Sequence, residues 1–235
     1  MTGTAPPTLL DLAIPVRPGD SNEELRFTLR SVEAHLPHAN VWIVGHQPSW
    51  VTGVNFIPGN LHTPRSNLWH NLLAFCQHPD TPDRFVITND DIMVTEPVPQ
   101  VEVLYRGTLK DHINMRRVQR GASWWRDSLN TTLVYLQGAG HPDPLSYELH
   151  VPFLADKQLM RETLLKAADV TPHNPPQWRT LYGVLNDIGG RQSTDSKAYQ
   201  PGPVRAPYHS TEDRSWRYFA TQLRKAFPEP SKYEK

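Results

Sequence analysis

FVITNDDIMV, residues 85–94, is the stretch on which the rest of the chain turns. Phe85 to Thr88 has the apolar, β-branched composition of a buried strand. An amide and two adjacent carboxylates follow, Asn89, Asp90 and Asp91, and the chain then becomes apolar again at Ile92. Carboxylates at the end of a core strand are costly unless they are paired or bind a cation. Two neighbours repel each other, and a divalent cation relieves that repulsion. Mg²⁺ and similar hard ions are held by one or two carboxylates together with substrate phosphates. Asp90 and Asp91 are therefore candidate ligands for Mn²⁺ or Mg²⁺ bridging to a diphosphate. The plain alternative is a turn, since Asn-Asp and Asp-Asp are turn formers.

Working outward, LLDLAIPV (residues 9–16) reads as a first buried strand ended by the turn Arg17-Pro18-Gly19-Asp20. Ser21 with Glu24 three residues later has capping-box spacing, and Leu25, Leu29, Val32 and Leu36 follow at helical intervals until Pro37. VWIVG (41–45) and residues 54–58 read as short strands, Asn67 to Gln77 as a helix, and RFVIT (84–88) as the strand that delivers the acidic pair. The alternation predicts an α/β fold with a mostly parallel sheet flanked by helices. Ligands of such sheets sit at the carboxyl ends of the strands, where Arg17–Asp20 and Asn89–Asp91 both fall.

The second half is less regular. Helices are expected near 127–136, 156–168, 176–187 and 215–227, the last with Trp216, Phe219 and Leu223 inward. Residues 189–213 read as a long solvated loop, in which Asp195 and Lys197 could close over a ligand, and PEPSKYEK (228–235) as a flexible tail. The 235 residues suit one domain, with 9–97 as the ligand-binding half and 98–227 as the second half.

Lys+Arg and Asp+Glu balance at 24 each, so bulk charge argues for no polyanionic partner. The exception is local: residues 105–127 hold six Lys/Arg against two Asp, with Trp124 and Trp125 among them. Those tryptophans could stack on a sugar or a base, or belong to the core. Cys76 is the only cysteine, which excludes an internal disulfide and a Cys-rich zinc site and suits a reducing, cytoplasmic setting. No apolar run is long enough to span a bilayer, and no signal peptide is evident.

The run Asn22 to Glu33, then VWIVGHQPSW, then Asn67 to Leu73, then DRFVITNDDIMV resembles the Stealth family of sugar-phosphate transferases, and also small glycosyltransferases of the GT-A nucleotide-sugar fold, some of them encoded by bacteriophages. The likeness covers residues 9–97. Beyond them the best echoes are HVP (150–152) and WRTLYG (178–183), and the family's long opening motif is shortened here to PVRPGD. The resemblance implies a GT-A-like fold, a nucleoside diphosphate sugar donor, and a divalent cation on the NDD turn, where such enzymes carry a DxD-type motif. The acceptor is open, with a hydroxylated DNA base, a glycan, a small molecule and a protein side chain as candidates.

Several residues could serve that chemistry. Arg17, Arg26 and Arg30 could meet phosphate bidentately, or Arg26 and Arg30 could pair with Glu23 and Glu33 on a solvated helix face. Asn67, Asn71 and Asn89 could contact the nucleotide, or, for the first two, cap and turn. Asp91, Glu148 and His150 are the catalytic candidates. Glu148 or His150 could act as base toward the acceptor, or His150 could complete the metal shell.

Overall fold

The computed structural model describes residues 9–19, 21–59 and 65–235; Asp20 of the expected turn lies outside them. The first half runs β1 (Asp11–Val16), α1 (Glu23–His35), β2 (Val41–Gly45), β3 (Asn55–Pro58), α2 (Asn67–Gln77), β4 (Arg84–Ile87) and β5 (Ile92–Val94). The second adds β6 (Leu104–Tyr105), β7 (Gly107–Thr108), α3 (Leu109–Asn114), α4 (Arg116–Arg120), α5 (Ser123–Gly138), β8 (Leu145–Ser146) and β9 (Phe153–Asp156). It closes with α6 (Lys157–Lys166), α7 (Trp178–Leu185), β10 (Arg191–Gln192), β11 (Tyr208–Ser210) and α8 (Asp213–Ala226).

The central sheet has the order β3-β2-β1-β4-β9. Its first four strands are parallel, with Leu12 opposite Val41 and Val86, and β9 runs antiparallel along β4. The central strand β1 is buried from Leu12 to Val16, as a strand covered on both faces must be. One face carries α1, which presents Leu25, Leu29 and Val32, all fully buried. At about 2 kcal/mol for each such side chain, this stripe is what fixes α1 on the sheet. The other face is covered by α2, α6 and α7 through Leu72, Phe75, Met160, Leu164 and Leu181.

The helix does not open as the sequence suggests. Its N-cap is Asn22, in the left-handed region at φ 31°, and no side chain caps it. Asn22 Nδ2 instead donates to the Arg17 carbonyl at 3.2 Å, and Glu24 turns away toward Thr211. Helix α5 starts four residues earlier than expected and takes in both Trp124 and Trp125.

The expected flexible tail is a packed element. Tyr233 is buried, Lys235 N donates to the Trp50 carbonyl at 2.9 Å, and Glu234 bridges to Val51. Glu234 also receives Arg26 at 2.6 Å and Arg30 at 2.7 and 2.9 Å, and Arg26 stacks 3.9 Å over Trp50. Neither Arg26 nor Arg30 is a free phosphate ligand here, and neither makes a salt bridge with Glu23 or Glu33; both tie the C-terminus to α1. Burial opposes ionisation of Glu234, but the bonds from Arg30, the Ser231 backbone and Arg26 hold its carboxyl down to about 2. A depressed carboxyl contributes stability above its unfolded value that is lost as pH falls through the folded one. Glu234→Ala should therefore lower stability at pH 7 by about 2–3 kcal/mol and release the C-terminus to proteolysis, read by thermal melts and limited digestion.

Candidate active site

Strand β4 ends at Ile87, and the chain turns through Asn89–Asp91 before Ile92–Val94 pairs antiparallel with β11 rather than extending the main sheet. The turn is held from all sides. Thr88 N donates to the Ala13 carbonyl at 3.1 Å, and Ile92 N to the Asn89 carbonyl at 3.3 Å. Thr28 Oγ1 on α1 donates to the Asp90 carbonyl at 3.0 Å, and Thr211 N to the Asp91 carbonyl at 3.2 Å. The acidic pair thus sits at the carboxyl edge of the parallel sheet on a backbone with little freedom to move.

Asp91 is 19% exposed and its Oδ2 receives Lys197 Nζ at 2.6 Å, while Lys197 itself is 9% exposed. The composition around Lys197 predicts a solvated loop. Instead, residues 195–198 form a strap bound to β11: Ala198 N donates to the Ser210 carbonyl and Ser210 N to the Ser196 carbonyl. Asp195 anchors the strap, with Arg106 at 2.6 Å, and with the backbone N and Nδ1 of His150 at 2.9 and 3.0 Å. These bonds hold the Asp195 carboxyl well below the usual range despite its burial.

Three carboxylates therefore share this corner. Burial, the charge of Asp91 and that of Glu24 push Asp90 up to about 7, against the pull of Arg17. Burial also raises Glu24, which accepts from Thr211 Oγ1 at 2.5 Å. Arg17 is exposed after β1, donates to Asp213 at the start of α8, and lies 3.7 Å from Glu24. It stays beside the acidic turn and within reach of solvent, as a phosphate ligand needs to be.

The oxygens of the turn suit a hard cation. Asp91 Oδ1 and Asn89 Oδ1 are buried and have no hydrogen-bond partner among the described residues, while Oδ2 of Asp91 is taken by Lys197. Such orphaned acceptors call for a cation or a donor. His150 Nδ1 faces Asp195, and among the described residues no three His, Cys, Asp or Glu side chains gather as a metal group.

Glu148 has a structural task. It is 7% exposed, and its Oε1 accepts from Thr180 N at 3.1 Å and Thr180 Oγ1 at 3.0 Å, satisfying the third amide of α7 from outside the helix. Burial raises its pKa, and the fully buried Arg179 beside it offsets part of that rise. Glu148→Gln should thus lower stability by about 2 kcal/mol, because Arg179 loses its carboxylate neighbour, while kcat well below the melting midpoint stays close to wild type. A kcat loss of a hundredfold or more, with unchanged melting, would restore Glu148 as a base.

Asn71 is likewise structural. Its Nδ2 donates to the Val44 carbonyl at 3.2 Å, and the side chain is wedged between Gly45 and Gly59. A Cβ at Gly45, where φ is +113°, would meet Asn71 Nδ2 at 2.6 Å, so the close approach demands glycine. Asn67 opens α2 at the same edge of the sheet. Asn89 stays in the turn. The residues the sequence reading missed or discounted are Glu24, Lys197, Thr211 and Asp213. Lys197 and Thr211 bond the acidic turn directly, Glu24 approaches it through Thr211, and Asp213 reaches only Arg17 at its rim; apart from the capping-box spacing of Glu24, no local pattern marks them.

A cavity of about 1430 Å³ is bounded by Pro97–Leu104, parts of 188–196 and 205–208, and does not include Asn89–Asp91. It is not the acidic site.

No family model matches the sequence, and no curated protein matches it. Among solved structures, the galactosyltransferase LgtC in complex with donor and acceptor sugar analogues is similar at 12% identity and a TM-score of 0.53, covering 94% of this chain and 96% of that one. An active-site mutant of LgtC is similar at 12% identity and a TM-score of 0.51, covering 95% and 98%. At this identity the likeness speaks for architecture alone: this chain shares the mixed α/β, mostly parallel GT-A-type fold of those structures.

Proposed function

We propose that the chain is a glycosyltransferase that moves a sugar from a nucleoside diphosphate sugar to an acceptor hydroxyl. The observation that carries this reading is the Asn89–Asp91 turn: a rigid acidic corner with orphaned oxygens, at the carboxyl edge of a GT-A sheet. Asp91 Oδ1, Asn89 Oδ1 and Asp90 would hold Mn²⁺ or Mg²⁺, which supplies Lewis-acid stabilisation of the departing diphosphate. Arg17, at the rim, would meet the diphosphate by charge-assisted hydrogen bonds.

The raised Asp90 gives the metal site a pH signature. A carboxyl whose folded pKa lies above its unfolded value contributes stability below the unfolded value, and that stability is lost as pH rises through about 7. Cation binding needs the ionised form. Mn²⁺ affinity should rise as pH increases through about 7 while metal-free stability declines, both followed by melting curves with and without Mn²⁺.

Incubation with a panel of nucleotide sugars, with and without Mn²⁺, tests the reading. Metal-dependent release of nucleoside diphosphate and a hexose mass on the product support it. A hexose-phosphate mass on the product would favour sugar-1-phosphate transfer, the Stealth chemistry, on the same scaffold. No turnover of any donor would leave a sugar- or nucleic-acid-binding module. A hydroxylated DNA base would instead draw on the basic stretch, where Arg106 pairs with Asp195, Lys110 with Asp143, and Arg117 lies over Tyr199.

A further inference from the structure

A second concave site lies between α2, α5 and the segment leading into α7. Its volume is about 680 Å³, within the range of small-ligand sites. Its lining is rich in tryptophan. Trp69 and Trp178 are buried in it, Trp125 is half-buried, and Trp124 is 39% exposed. Trp124 thus presents part of its indole to the cleft. Arg65 lies over its ring, 5.5 Å from the centroid, and Asn174 Nδ2 donates to the Trp124 backbone carbonyl at 2.8 Å.

The geometry selects the kind of ligand. Trp124 and Trp125 meet at 79°, with centroids 6.0 Å apart. They make a corner with one face and one edge. A nucleobase is best held flat against a ring face or between two parallel ones. A pyranose differs: one face is a patch of C–H groups that packs on an indole, and hydroxyls project around its rim. Hydroxyls of that kind are met by side-chain amides. Asn174 and Gln177 both line the cleft, and each is fixed through one amide nitrogen, Gln177 Nε2 donating to Ser128 Oγ at 2.6 Å. Each amide has a carbonyl oxygen and a second N–H beyond that bond.

The position fits as well. The crossover from β3 to β4 places the start of α2, with Arg65 and Trp69, at the carboxyl edge of the sheet, the edge that carries Asn89–Asp91. We propose that this tryptophan corner is a carbohydrate subsite that takes a sugar ring of the acceptor, so that the acceptor is a glycan or glycoside. The proposal rests on the glycosyltransferase reading for the word acceptor, but the binding itself is independent of it.

The test is a glycan microarray probed with labelled full-length wild type, Trp124→Ala and Trp124→Phe, with a thymidine oligonucleotide in parallel. Wild type should bind a defined set of glycans. Trp124→Ala should weaken that binding about tenfold or more, and Trp124→Phe should recover part of it, because a ring face is restored. Trp124 is exposed, so melting of both variants should match wild type. Absence of glycan binding by wild type, equal binding by Trp124→Ala, or oligonucleotide binding lost in Trp124→Ala would overturn the proposal. Nucleoside diphosphate binding, measured on the same proteins, should not change. Its absence in wild type would count against the glycosyltransferase reading and leave the glycan result to stand by itself.

Discussion

Asp91→Asn is expected to abolish turnover, by about a hundredfold to a thousandfold or more, and to remove metal-dependent nucleotide binding. Losing one preorganised electrostatic contact to a developing charge costs on this scale. The substitution keeps the shape of the side chain, so the turn and its backbone bonds to Thr28 and Thr211 are preserved. It does not leave stability untouched. Lys197 is almost fully buried and its 2.6 Å carboxylate partner becomes a neutral amide. Breaking a buried pair by neutralising one member costs about 3 kcal/mol, so the melting midpoint should fall as well. Circular dichroism at a temperature well below that midpoint separates the two effects. A folded Asp91→Asn protein with wild-type turnover would remove Asp91 from the site.

Lys197→Met is the second large effect, and it is opposite in character. Lys197 neutralises a corner that holds Asp90, Asp91 and Glu24. Without it, the corner carries uncompensated acid. The metal-free variant should lose about 3 kcal/mol of stability. A divalent cation should then bind the variant at least about tenfold more tightly than wild type in the absence of nucleotide, because a like charge within a few ångströms has gone and Asp91 Oδ2 is released. Mn²⁺ should raise the melting midpoint of Lys197→Met more than that of wild type. Equal Mn²⁺ shifts in the two proteins would show that Lys197 and the cation do not share Asp91.

The first half of the fold is legible in the sequence because its signals are local. β2 and α2 begin and end where apolar periodicity and punctuation place them, and the acidic turn announces itself by two charges framed by core residues. The partners of that turn are not legible. Asp91 and Lys197 are 106 residues apart, and Lys197 sits in a Gly-, Ser- and Pro-rich stretch whose composition reads as solvated loop. Only the register of β11 against β5 brings the strap onto the acidic corner. The same holds at the C-terminus. PEPSKYEK has the composition of a free tail, yet Arg26 and Arg30, one helical turn apart on α1, form a fork that captures Glu234. Long-range charge pairing overrode local composition in both places. It also moved Arg26 and Arg30 from the phosphate-binding role that their spacing suggests to a structural one. Glu148 and His150 illustrate a third limit. Their i, i+2 spacing gives no hint that one serves Thr180 and the other Asp195.

The central claim is that the Asn89–Asp91 turn binds a nucleoside diphosphate through a divalent cation. Calorimetric titration of UDP, GDP, CDP, ADP and TDP, each with and without Mn²⁺, into wild type and Asp91→Asn tests it most directly. The account predicts that one of these nucleotides binds wild type only when Mn²⁺ is present and does not bind Asp91→Asn measurably. Binding of equal strength to both proteins, or no binding of any of the five to wild type with Mn²⁺, would contradict it.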